Sequence, residues 1–454
     1  MRRMITPLII IALLAAACGD DDSSDTTAPL VTTVPDSTTS TTEGQIDVPV
    51  VSGLIASELE RLIPDATDED LRAIAAAQRS FAVALYEVLA VGEGNLVVSP
   101  ASIHIALLMA YAGADGLTAE QMDQVLAITG IPADRLHDSV NALDQLLESF
   151  NRVGEPLPNG TEQKVVLSIV NALWGQGGFG FEQDYLDLLA GRYGAGMHVV
   201  DYVTAAEDAR QEINAWVAEE TNERIEDLIP AGALGPMTRL VITNAVYLDA
   251  SWQIPFDKDS TADGDFTLLD GSTITVPMMH GDQTAPYAVG DGWQAVDLAY
   301  LGGDLSMLVI VPDTGRFAEV EAMLAAGLLD DAVAGLHPAN LLLAFPKFET
   351  RTQTGLGTVL RSMGMPGAFD PATADFSGIT TEDRLFISDV IHEAFIKVDE
   401  AGTEAAAATA IIMRATSVPV DEIALDVDRP FIYVLRDRAT NSTLFMGRVT
   451  NPAG

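Results

Sequence analysis

Apolar residues at Leu71, Ile74, Ala75, Phe81, Leu85 and Leu89 follow helical spacing and predict a helix running to Ala90. Thr67-Asp68-Glu69-Asp70 marks its start, a capping hydroxyl followed by acids that suit the positive end of the helix dipole. The pattern then shortens. Gly94-Asn95 has turn chemistry, Leu96-Val97-Val98-Ser99-Pro100 reads as a short strand, and 101–111 as a second helix. Farther along, 165–174, 240–248, 306–311, 341–345, 386–399 and 431–435 read as strands, and 182–193 and 205–224 as helices. No βα alternation, repeat or Pro/Gly-rich boundary interrupts this mixture. One large α+β domain of residues 65–454 is therefore expected.

The first 64 residues have another character. Met1-Arg2-Arg3-Met4 and the apolar run 5–17 form a basic then hydrophobic leader, shorter than the ~20 residues of a spanning helix. The run ends Ala15-Ala16-Ala17-Cys18-Gly19 and resembles a bacterial lipoprotein signal cleaved before Cys18. The ordinary reading is a secretory signal with an incidental cysteine. Residues 19–52 carry seven acids, no bases and the run Ser37-Thr38-Thr39-Ser40-Thr41-Thr42, so they cannot offset ordering entropy by burial. The expected division is a signal at 1–17, a Ser/Thr/Asp-rich disordered tether at 18–64 and the folded domain beyond. The protein is then secreted across the cytoplasmic membrane and held by lipid on Cys18 at the cell surface or outside it.

Composition narrows the function. An apolar content of 48% is enough for a large core. The single cysteine excludes an internal disulfide and a Cys-based metal site. A formal net charge of −42 repels phosphate backbones, anionic lipid surfaces and acidic polysaccharides. Beyond Ser52 there are 59 acids and 22 bases, so the acidity belongs to the domain rather than to the tether.

Catalytic motifs are sparse. Gly175-Gln176-Gly177-Gly178-Phe179-Gly180 fits a dinucleotide fingerprint after a strand, with Asp201 farther on. Helical periodicity begins only near Glu182, however, and a true site opens its helix within the motif. There is no G-x-S-x-G, H-E-x-x-H, Walker motif or Ca²⁺ loop, and the six histidines do not pair at ligand spacing. No metal or cofactor is expected.

One segment is unlike ordinary core or loop: Glu400-Ala401-Gly402-Thr403-Glu404-Ala405-Ala406-Ala407-Ala408-Thr409, continuing to Pro419. Propensity alone reads 403–410 as a short helix. The chain from about residue 67 nonetheless resembles the serpins, and 400–409 resembles their reactive-loop hinge. Asn95 with Ser99-Pro100-Ala101-Ser102, Thr243-Asn244-Ala245-Val246-Tyr247 with Trp252 and Pro255-Phe256, Asp428-Arg429-Pro430-Phe431, and Phe445–Pro452 resemble further family segments in the family's order.

The resemblance implies a serpin fold: a large mixed sheet with an insertable reactive loop, additional smaller sheets and eight to nine helices. It implies a suicide-substrate inhibitor of serine, or also cysteine, endopeptidases, not an enzyme. Cleavage acylates the protease, and the freed arm inserts as a new strand before deacylation. With a strand period of 2, Thr403, Ala405, Ala407, Thr409 and Ile411 face inward. Glu400 and Gly402 complete the hinge. Family spacing puts the reactive bond at Thr416-Ser417, suiting elastase-like or subtilisin-like enzymes; cleavage after Arg414 would point to trypsin-like ones. Ser99, Ser102, Asn244 and His392 match a polar cluster beneath the parting strands. Lys347, Glu400 and Trp252 match a group at the top of the sheet. The implied partner is a serine protease in covalent complex with a monomer, without nucleic acid or heparin-type activation. The alternative is a non-inhibitory serpin-fold surface binding protein.

Overall fold

A computed structural model describes residues 52–157, 160, 162–221, 223–403 and 422–454. The chain divides into two units, Met1–Val48 and Pro49–Gly454, and all described residues lie in the second.

The first predicted helix spans Asp68–Leu89. Its cap is reciprocal: Asp70 N–H donates to Thr67 Oγ1 and Thr67 N–H donates to the Asp70 carboxylate. The second helix, Pro100–Tyr111, is apolar almost all round and is buried on nearly every side. It packs against Lys164–Gln176 and Leu240–Ser251 of one sheet and Thr443–Val449 of another.

The main sheet has eight strands among the described residues. Its order is Gly53–Ile55, Met197–Val200, Lys164–Gln176, Leu240–Ser251, Gly402–Thr403, Ile387–Val398 and Phe348–Gly355, with Arg152–Val153 on Lys164–Gln176. Every residue of Leu240–Ser251 is buried. The sequence pattern ends this strand at residue 248 because Asp249 and Ser251 are polar. The fold buries both, with Lys164 Nζ 2.6 Å from the Asp249 carboxylate and Lys164 N–H bonded to Ser251 Oγ.

A second sheet of nine strands lies behind, running from Ile423–Asp426 through His337–Pro346, Thr273–Gly290, Trp293–Ala299, Leu305–Pro312, Phe431–Asp437 and Thr443–Val449 to Leu96–Val98, with Ala262–Thr267 on Thr273–Gly290. It is one continuous sheet because Thr273–Gly290, 18 residues long, pairs along its length with three neighbours. Nine α-helices occur among the described residues.

Two boundaries move. The helix read at 205–224 is Tyr202–Glu220, since Asp201 caps it by accepting from Thr204 N–H. The helix read at 182–193 is α-helical over Gln183–Leu188 and a π turn over Leu189–Tyr193. Residues 53–62, expected within the tether, make contacts with the rest of the folded unit. Gly53–Ile55 pairs with Met197–Val200. Arg61 bonds Asn141, Asp144 and Glu148 on the helix Ala133–Glu148, and Leu62 O accepts from Asn141 and Gln145. Sequence pattern does not reveal this, because these partners lie about eighty residues away.

Candidate functional site: the parted top of the main sheet

Leu240–Ser251 and Ile387–Val398 run parallel and pair from Leu240/Ile387 to Val246/Ala394. Above that point they separate. Gly402–Thr403 lies in the opening, antiparallel to both: Gly402 opposite Ser251, and Thr403 opposite Ala250 on one side and Val398 on the other. Thr403, which propensity assigned to a helix, is therefore a strand residue with neighbours on both edges.

The turn leading there is closed on itself. Asp399 and Gly402 exchange backbone bonds, and Ala401 N–H donates to Asp399 Oδ1. Gly402 meets a steric demand: a Cβ there would sit 2.0 Å from the carbonyl oxygen of Ala250. Trp252 holds the turn from the side, its Nε1 donating to Asp399 O and its N–H to Ala401 O, while Phe256 N–H donates to Glu400 O. The Trp252 ring stacks on Tyr300 at 4.6 Å, and the Tyr300 hydroxyl lies 2.6 Å from Thr403 Oγ1.

Glu400 is buried, with Lys347 Nζ at 2.8 Å and Thr261 Oγ1 at 2.7 Å. Burial raises its pKa, but the hydrogen bonds from Lys347 and Thr261 outweigh it and hold the carboxyl below its ordinary value. The structure thus brings Lys347, Glu400 and Trp252 together at the top of the sheet. Thr261 and Tyr300 join them without a distinguishing sequence signal.

The polar cluster lies lower, where the two strands are still paired and Asn244 stands opposite His392. Ser99 N–H donates to His392 Nε2 at 3.2 Å, so the ring proton sits on Nδ1 and bonds Asn244 Oδ1 at 2.5 Å. Asn244 Nδ2 donates to Ser102 Oγ and to Asn171 Oδ1, and Ser102 Oγ also donates to Asn171. Ser99 Oγ donates to Leu444 O. Burial lowers the His392 pKa to about 3, so the ring is neutral near pH 7. Asn171 is a member that the sequence pattern signals only as an amide in an apolar strand.

The glycine-rich segment 175–180 is a strand end and turn. Its helix opens only at Gln183, and the Glu382 carboxylate accepts from Gly180 N–H, where a phosphate would need a clear approach. Among the described residues no group of His, Cys, Asp and Glu could hold a metal. Cys18, Ala405, Ala407, Thr409, Ile411, Arg414, Thr416 and Ser417 lie outside the described residues.

The main sheet is thus mixed, with its parallel pair split at one end by a returning segment. The serpin (serine protease inhibitor) family profile matches residues 76–452. The chain belongs to the serpin family. It is 40% identical over 375 residues, 82% of this chain and 84% of the relative, to an uncharacterized serpin-like protein of Thermococcus kodakarensis. It is 32% identical to a leukocyte elastase inhibitor of Xenopus laevis, covering 79% of this chain and 93% of that protein. Among solved structures, the native state of the thermophilic serpin tengpin superposes with a TM-score of 0.76 at 25% identity, covering 88% of this chain and all of that one. Serpins generally act on proteases as inhibitors.

Proposed function

We propose that this chain is an inhibitory serpin that traps serine proteases by inserting its cleaved loop between Leu240–Ser251 and Ile387–Val398. The observation that carries this reading is the double pairing of Thr403 with Ala250 and Val398. A strand continued in that register would bring residue 405 beside Leu248 and Ile396, residue 407 beside Val246 and Ala394, and residue 409 beside Asn244 and His392. The residues 405, 407 and 409 are Ala, Ala and Thr, small enough for a packed interior.

Insertion exchanges one parallel pairing for two antiparallel ones, each new backbone bond contributing about 0.5–1.5 kcal/mol net. The lane ends at Leu240, beside position 413, so Arg414 and Thr416 both fall beyond it as cleavage residues. Thr416-Ser417 is the proposed bond, for an elastase-like or subtilisin-like protease, with Arg414 and a trypsin-like protease as the alternative. The protein acts as a monomer, without heparin-type activation, tethered outside the cytoplasmic membrane by lipid on Cys18.

The test is incubation with one protease of each type, followed by denaturing electrophoresis and mass mapping of the cleaved bond. A covalent complex resistant to detergent supports inhibition. Cleavage with release of every protease overturns it in favour of a serpin-fold binding protein. Mass analysis of the N-terminal peptide tests the anchor, which predicts an acylated Cys18 and a released Cys18→Ser variant.

A further inference from the structure

Beside Trp252 lies a cavity of about 160 Å³. Its apolar walls are Trp252, Phe256, Ala285 and Leu298, and the exposed residues Gln253 and Thr284 stand at its rim. A cavity of ~150 Å³ accepts a benzene ring, so one ring with a short arm fits here.

The charge at the cavity is unusual for so acidic a chain. Asp297 is fully buried and already satisfied: Arg436 binds both of its oxygens, at 3.2 and 2.8 Å, and Ser306 Oγ donates at 2.7 Å. Arg438 nevertheless lines the same cavity, its Nε 3.3 Å from Asp297 and its Nη1 bonded to Gly303 O. Nη2 has no protein partner among the described residues. The nearby Asp304 carboxylate is taken by Arg152. One buried carboxylate thus faces two guanidiniums, and that of Arg438 borders an apolar space.

We propose that this cavity is a binding site for a small aromatic monocarboxylate. The ring lies among Trp252, Phe256, Ala285 and Leu298, and the carboxylate pairs with the outer face of Arg438. The site bears on the hinge, because Trp252 and Phe256 donate the backbone bonds that hold Ala401 and Glu400. A ligand there stiffens those two residues and slows parting of the hinge. This consequence rests on the inhibitory reading, whereas binding itself does not.

The test is isothermal titration of the full chain with 3-phenylpropanoate and with its neutral amide. The acid should bind more tightly than about 1 mM. The amide, and the acid with Arg438→Gln, should each bind about tenfold more weakly for want of the charge-assisted pair. Ala285→Leu, which fills the space, should abolish binding of both probes. No binding of the acid, equal affinity for acid and amide, or wild-type affinity in Ala285→Leu overturns the site. The acid and amide comparison uses the unaltered protein and stands even if a variant folds poorly. Measuring complex formation with and without the acid then tests the hinge consequence separately.

Discussion

Thr403→Arg places a long charged side chain at a residue already paired on both edges of the lane. Thr403 is 1% exposed, so the native state itself must respond. The two-residue strand can peel away, losing the Tyr300–Thr403 hydrogen bond and the pairings with Ala250, Ser251 and Val398. At about 1 kcal/mol each, that is a local cost of roughly 3–4 kcal/mol, confined to one end of the sheet. After cleavage the cost recurs in a worse form. The arm must seat a guanidinium between Ala250 and Val398 with no anion facing it, a burial worth several kcal/mol. If about 3 kcal/mol of this appears in the barrier, insertion slows roughly 100-fold. Deacylation then wins and the variant becomes a substrate. The assay is the ratio of covalent complex to cleaved, released product at fixed protease, with Thr403→Ala as a control that loses one hydrogen bond and keeps the ratio. An unchanged ratio in Thr403→Arg would refute the insertion argument.

Other outcomes follow from the same geometry. His392 should remain neutral with its proton on Nδ1 down to pH 4, read by nitrogen NMR of labelled histidine; protonation near pH 6 would remove the cluster as described. An unfolded imidazole takes its proton near pH 6.5 and the folded one only at about 3, so this group's contribution to stability is complete above pH 6.5 and declines as the pH falls from there toward 3. Gly402→Ala drives a Cβ into Ala250 O and should release the hinge turn at a cost of about 1–3 kcal/mol, seen as faster amide exchange at 399–403. Arg61→Ala removes three side-chain partners and should expose residues 53–64 to proteolysis while exchange at Leu240–Ser251 stays slow; unchanged cleavage would show that Arg61 does not hold the segment.

Much of the molecule is written in local pattern. The capping box at Thr67 and Asp70, the apolar helix Pro100–Tyr111 and the strands Lys164–Gln176 and Ile387–Val398 follow from propensity, capping and periodicity over neighbouring residues. The hinge residues and the cluster positions were legible as a family resemblance, carried by residues 400–409 and by Asn244 and His392.

What the tertiary structure alone decided is which distant groups meet. The partners of Arg61, the place of Thr261 beside Glu400 and of Tyr300 against Thr403, and the second guanidinium at Asp297 join residues from eighty to just over one hundred and forty positions apart. No periodicity encodes such contacts, because hydrogen bonds and ion pairs act over a few ångströms of space whatever the separation along the chain. Even the helical propensity at Thr403 yields to this. Two strand edges offer its backbone partners on both sides, whereas a short isolated helix leaves the N–H groups of its first turn unpaired.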